Sequence, residues 1–288
     1  SFPLLQKRFN SIEEITFISV PFPVSTKNIF MSLLLSVSSW LSISPKSRVI
    51  HFINRNDLDY VFNFSLTIEK IFGKDRISYP GTICTNWIGL PYINEWFIQG
   101  LRLCQSRYVC FLNSDIFLPS NWLKITEKVF LLPSMLNKNL FLISKRINFH
   151  LNETIFNSIN FTKYILNHKD LLKEMEMILL KDKNITYSRH SAVDIFTFRA
   201  DRPPFNPKMI PPFLMGKPFW DNWLVGYLNT LAETISFANY SYVYHVGPLR
   251  TKYKDYTQEY FINYYIHTSK IHFGGGNDQT KWRIENGY

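Results

Sequence analysis

The sequence predicts an α/β domain built on a mostly parallel central sheet with helices on its faces. Short apolar runs recur at 15–20 (ITFISV), 48–53 (RVIHFI) and 108–112 (YVCFL), and polar residues or proline cut each one off abruptly. Strands buried on both faces read this way. A helix-length stretch at 28–41 separates the first two runs, and strand, helix, strand in succession implies a right-handed parallel unit. The composition, 46% hydrophobic and 17% aromatic with 11 Gly in 288 residues, excludes a disordered, collagen-like or disulfide-dense chain. Nothing divides the chain cleanly, so one domain over 1–288 is expected.

The first run meets Pro21-Phe22-Pro23, a break beside which a nucleotide base could lie. The second ends in the polar cluster 54–57, beginning with Asn54. A helix near 60–72 and a loop rich in Gly and Pro through 91 precede a helix at 93–104, which feeds the central strand, 108–112. That strand ends on Asn113, Ser114 and Asp115. In an extended chain Asn113 and Asp115 point the same way, so an amide and a carboxylate converge at the carboxyl edge, where open α/β sheets bind ligands. A carboxylate there suits a hard divalent cation, which in turn neutralises a diphosphate. The plainer alternative is that these three residues begin a turn.

Further on, 140–146 reads as a strand. The polar segment 149–186 reads as an insertion or lid, with an amphipathic helix at 170–181 that puts Leu171, Leu172, Met175 and Leu179 on one face. Residues 191–198 alternate as a strand carrying Asp194. They are followed by PPFLMGKPFWDNWL at 211–224 and a helix whose apolar face is Trp223, Leu224, Tyr227, Leu228 and Leu231. Asp221 or Asn222 could cap that helix. Residues 242–244 read as a strand ending on His245. Three glycines, Gly274 to Gly276, suggest a flexible flap.

The formal charge is +10, but no block of five or six basic residues occurs, which weakens a nucleic-acid partner relative to a nucleotide phosphate. Cys84, Cys104 and Cys110 cannot all pair with one another and lack metal-binding spacing. Sequons at Asn63, Asn152, Asn160, Asn184 and Asn239 suit the lumen of the secretory pathway, with the Golgi expected. No signal peptide or membrane span is evident. The longest apolar stretch, 29–43, holds five serines and reads as a partly buried helix, so any membrane attachment would come from an anchor outside this sequence.

The apolar strand, Asn113-Ser114-Asp115 and the renewed apolar run resemble the Asp-any-Asp motif of GT-A glycosyltransferases, with Asn113 departing at the first position. The series at 211–224 resembles, more specifically, a group of GT-A nucleotide-sugar transferases in which it follows the acidic motif by about a hundred residues. The likeness runs from Ile15 to about Gly247 and implies a Rossmann-like GT-A fold, with a nucleotide-binding half at 1–120 and an acceptor half at 140–288. It implies a donor site drawn from Pro21, Asn54, Asn94, Asn113, Asp115, Arg250 and Lys252. Asp115 and His245 would hold Mn²⁺ or Mg²⁺, imidazole favouring Mn²⁺. Trp220 and Trp223 would grip an acceptor sugar. Asp221, desolvated between them, would be the catalytic base, with Asp194 a second carboxylate. The implied partners are a nucleotide-sugar donor, UDP-linked by preference, and a glycan or glycoprotein acceptor. A degenerate GT-A domain that binds carbohydrate or serves as a scaffold is the alternative, and Asn113 is its best support. A nucleotidyltransferase would need a Gly-rich basic loop after the first strand, where PFPVSTKN stands.

Overall fold

The computed structural model describes residues 14–149, 167–181, 186–187, 193–237, 243–247, 257–269 and 274–284. Strand β1 (Ile15–Ser19) is buried throughout, and its side chains feed two cores, Phe17 on one face of the sheet and Ile18 on the other. After the prolines, the Thr26 hydroxyl accepts from Ile29 N and starts α1 (Lys27–Ser42). Strand β2 (Arg48–His51) follows. The helix expected near 60–72 is α3 (Phe64–Phe72); a separate short helix, α2 (Arg55–Asp59), precedes it, and Asn63 takes a left-handed backbone between them at φ 49. The Asp59 carboxylate accepts from Ser65 N and from its hydroxyl, so the hydroxyl of the Asn63 sequon is already committed.

Strand β3 (Ile77–Ser78) and helix α4 (Ile93–Leu103) lead into β4 (Tyr108–Leu112). In β4, Tyr108, Cys110 and Leu112 face one core while Val109 and Phe111 face the other. That two-sided burial is why its sequence runs apolar instead of alternating with polar residues. Then come β5 (Ile116–Phe117), α5 (Trp122–Leu131), β6 (Leu140–Asn148), α6 (His168–Lys181) and β7 (Thr186–Tyr187). The chain continues through β8 (Val193–Arg199), α7 (Trp220–Asn229), β9 (Glu233–Ser236), β10 (Val243–His245), α8 (Gln258–Ser269) and β11 (Trp282–Arg283).

The sheet runs β11-β9-β6-β8-β4-β1-β2-β3. Strands β3, β2, β1 and β4 are parallel, β8 enters antiparallel between β4 and β6, and β6, β9 and β11 are parallel again. The expected α/β class with a mostly parallel, helix-flanked sheet is therefore present, and one sheet serves both halves of the chain. Beside it, β10 pairs antiparallel with β5 and parallel with β6.

Helix α1 is buried nearly all round because α6 covers its outer side with Leu172, Met175 and Leu179. The helix expected in a lid is thus a core element, held also by Glu176, which accepts from Ser120 N and Oγ. The rest of the expected insertion, 150–166 and 182–185, lies outside the described residues. The serines of α1 are structural: Ser39 Oγ accepts from Leu118 N, and Ser32 Oγ donates to Val246 O at 2.9 Å. No helix among the described residues is long and apolar enough to cross a membrane.

Candidate active site

Where β4 ends, Asp115 opens β5, and the β5–β10 ladder places His245 opposite Ile116. Val246 N consequently donates to Asp115 O at 2.9 Å, and His245 Nε2 lies 3.1 Å from Asp115 Oδ2. Residues 130 positions apart (245 − 115) thus meet through strand register. Burial works to lower the His245 pKa, but the charge and hydrogen bond of Asp115 more than offset it and raise it. Gly247 completes this corner: a Cβ there would overlap Asp115 Oδ2 and stand 3.2 Å from His245 Cε1.

Asn113 Nδ2 donates to Asp194 Oδ1 at 2.6 Å, and Arg146 Nη1 lies 2.5 Å from Asp194 Oδ2. A bulge produces this contact. Ile143 pairs with Phe196 but Lys145 pairs with Val193, so β8 carries one extra residue there. The extra residue re-aims Asp194 out of the strand's alternation, as bulges beside sites do. Both carboxylate oxygens of Asp194 are therefore engaged, one by an amide and one by a guanidinium. This suits it to hold Arg146 and Asn113 in place.

Asp221 sits in the first turn of α7, whose N-cap is Phe219 in the left-handed region at φ 82. Phe219 offers no side-chain cap, and the Asp221 carboxylate itself accepts from the N–H groups of Asp221 and Asn222. Burial pushes the Asp221 carboxyl up to about 7 and the Asp194 charge adds to the rise, against the N–H groups of the helix end and the Arg146 charge. A carboxyl poised near neutrality is what a general base requires.

These groups line one open cleft enclosing about 1100 Å³, part of it solvent. Asn113, Asp115, Arg146, Asp194, Trp220 and Asp221 come together there, with Lys217 and Tyr260 at its rim. Arg146 keeps its charge: burial lowers its pKa, but Asp194 more than offsets this and raises it. Sequence reasoning missed Arg146, Lys217, Tyr260 and Gly247.

The remaining expected residues fall elsewhere. Pro21 is buried and turned away, because the cleft takes the alternate residues Val20 and Phe22. Asn54 is exposed at the start of α2, and its amide donates to Asp57 Oδ2. Asn94 lies at the start of α4, beneath the segment 213–215, with a buried Oδ1 that has no hydrogen-bond partner. Trp220 and Trp223 do not bracket Asp221. At helical spacing both turn inward, 6% and 4% exposed, and Trp223 packs on Phe213 and Tyr227 in the core. Trp220 alone borders the cleft, held edge-on by Trp96. Arg250 and Lys252 lie outside the described residues.

Among the described residues no group of three His, Cys, Asp or Glu side chains is placed to hold a metal ion. Asp115 and His245 supply one oxygen and one nitrogen donor. A cation there would take its remaining ligands from a diphosphate and water, as ions bound with nucleotide phosphates do.

The glycines expected to form a flap are packed. A Cβ on Gly226 would stand 2.7 Å from Gly274 N, and Asn222 Nδ2 donates to Gly275 O at 2.6 Å, so this segment clamps the helix that carries Asp221.

No protein-family model matches the chain, and no curated protein does. Among solved structures it is similar to S. aureus TarS 1-349, at 12% identity and TM-score 0.45, over 81% of this chain and 60% of that one. The same TarS fragment in complex with UDP-GlcNAc matches at 12% identity and TM-score 0.49, over 88% of this chain and 65% of that one. The chain thus spans less than two thirds of either.

Proposed function

We propose that the chain is a glycosyltransferase that moves a sugar from a nucleotide-diphosphate donor, a UDP-sugar first, to a hydroxyl of a glycan or glycoprotein. The observation that carries this reading is the convergence of Asp115, Arg146 and Asp221 in one cleft at the carboxyl edge of the parallel strands, with His245 held against Asp115. Asp221 accepts the proton of the acceptor hydroxyl. The acceptor oxygen attacks the anomeric carbon as the bond from that carbon to the diphosphate breaks, and the nucleotide leaves with the electron pair. Among the described residues, Arg146 and Lys217 are the cations that line this cleft, and they would face the leaving charge. A Mn²⁺ or Mg²⁺ on Asp115 and His245 would supply further neutralisation of the diphosphate.

The test is a thermal-shift titration with UDP, GDP and CDP, with and without Mn²⁺, on wild type and Asp115→Ala. Stabilisation by one nucleotide, of about 5 °C at a hundredfold excess over Kd, that requires Mn²⁺ and is lost in the variant is the expected result. No shift with any nucleotide would overturn the reading. One observation favours the alternative of a non-catalytic carbohydrate-binding or scaffolding domain: Asn113 replaces a carboxylate and its amide is engaged by Asp194. That alternative predicts saccharide binding with no nucleotide shift.

A further inference from the structure

Helix α8 is amphipathic in reverse. Its buried residues are Glu259, Asn263 and His267, while Phe261, Tyr264 and Tyr265 are 51%, 48% and 70% exposed. The buried polar face has a purpose: the Asn263 side chain accepts from Leu214 N at 2.8 Å and donates to Leu214 O and Pro218 O, fixing the helix to the 211–218 segment. The aromatic face stays about half or more open to solvent. Contiguous exposed apolar surface of this kind marks a binding surface.

The ridge leads into the cleft. Tyr260, one turn before Tyr264, lines it together with Asp221, and the Tyr260 and Tyr264 rings lie parallel, 7° apart in plane with centroids 6.5 Å apart. Phe261 and Tyr265 stand beside them at helical spacing. Lys217 Nζ donates to Thr257 Oγ1 at 2.9 Å just ahead of the helix, fixing its near end at the cleft rim. We propose that this face is the acceptor subsite, a platform on which a saccharide chain lies with its terminal hydroxyl at Asp221. The proposal rests on the glycosyltransferase reading and gives that reading a substrate class.

The chemistry favours sugar. The C–H face of a pyranose lies flat on an aromatic ring, while its rim hydroxyls stay wet or reach a phenolic oxygen, so tyrosines serve better than aliphatic side chains. Continuity decides against a protein partner, because only a ligand that runs on into the cleft uses Tyr260 and the exposed rings together. The same rings also hold the base. Phe219 packs at 5.3 Å from Tyr260, 5.6 Å from Tyr264 and 5.4 Å from His267, and these contacts restrain its left-handed backbone two residues before Asp221.

The experiment titrates the full chain with cellohexaose, chitohexaose, xylohexaose and mannohexaose, using calorimetry and saturation-transfer NMR. It compares wild type with Phe261→Ala and Tyr265→Ala. Tyr60→Ala, a substitution at an aromatic 83% exposed beside α2, is the control. At least one saccharide binds, each α8 variant weakens it roughly 2- to 12-fold, and the control leaves it unchanged. No binding by any of the four, wild-type affinity in both α8 variants, or a concentration-dependent dimer dissolved by Tyr265→Ala would each overturn the proposal. The nucleotide titration separates the two readings. A nucleotide shift without saccharide binding removes the platform alone, whereas saccharide binding through α8 with no nucleotide shift keeps the platform and removes the transferase.

Discussion

Replacing Asp221 by Asn should change how stability depends on pH, in a direction the structure fixes. The carboxyl titrates near 3.8 in the unfolded chain and at about 7 in the folded one. Its contribution to stability is complete below pH 3.8, falls as pH rises through that interval, and settles above about 7 into a constant penalty for a charge held in the cleft. The full rise corresponds to about 4 kcal/mol, and because Asp221 is only half-buried we expect roughly half of it to be measured. Urea denaturation of wild type and Asp221→Asn at pH 5, 6, 7 and 8 reads the difference directly. Because part of the loss is already complete at pH 5, the variant should gain on wild type by roughly 1 kcal/mol between pH 5 and 8. A difference that stays flat with pH would refute the desolvated-carboxyl account, and with it the base role, whatever the sign of the offset. In the same variant, transfer activity should fall by about 100-fold or more, and the wild-type kcat/KM should rise with pH to a plateau above about 7.

Three further outcomes follow from the same geometry. Gly247→Ala should displace the Asp115 carboxylate and abolish Mn²⁺-dependent nucleotide stabilisation while the metal-free melting temperature changes far less, a contrast thermal shift reads. Arg146→Met leaves the Asp194 carboxylate, 8% exposed, without its counter-charge and should cost about 3 kcal/mol in chemical denaturation. Asp115→Asn removes what raises the His245 pKa, so the imidazole of metal-free protein should titrate lower by NMR. The stability that pair supplies in wild type is present below pH 6.5 and lost as pH rises past the folded pKa.

Much of this was legible in the sequence where one local rule governed. Strand β4 announced itself because burial on both faces leaves no polar alternation, and Asp115 and His245 stood at strand ends, where topology delivers side chains to a single edge. Arg146 was hidden because it follows Lys145 in a pair that reads as a solvated strand end. Only the bulge in β8, a property of pairing, turns Asp194 toward it. Trp223 misled because flanking an acidic residue in sequence differs from flanking it on a helix, where positions three apart share the inward face. Gly274 to Gly276 looked loose for want of side chains, yet that absence is what lets two backbones touch. Helix α8 gave no readable pattern because its aromatics are on the outside.

The clamp between α7 and the 274–276 glycines also bears on when the protein becomes competent. Every described group lining the cleft is present once residue 260 has been synthesised, but the bond from Asn222 reaches 53 positions ahead to Gly275. Ser32 waits 214 positions for Val246. Contacts of such long sequence separation form late. A nascent chain that already holds its base, its carboxylates and its cations therefore still lacks, until synthesis has passed residue 275, the brace on the base-bearing helix.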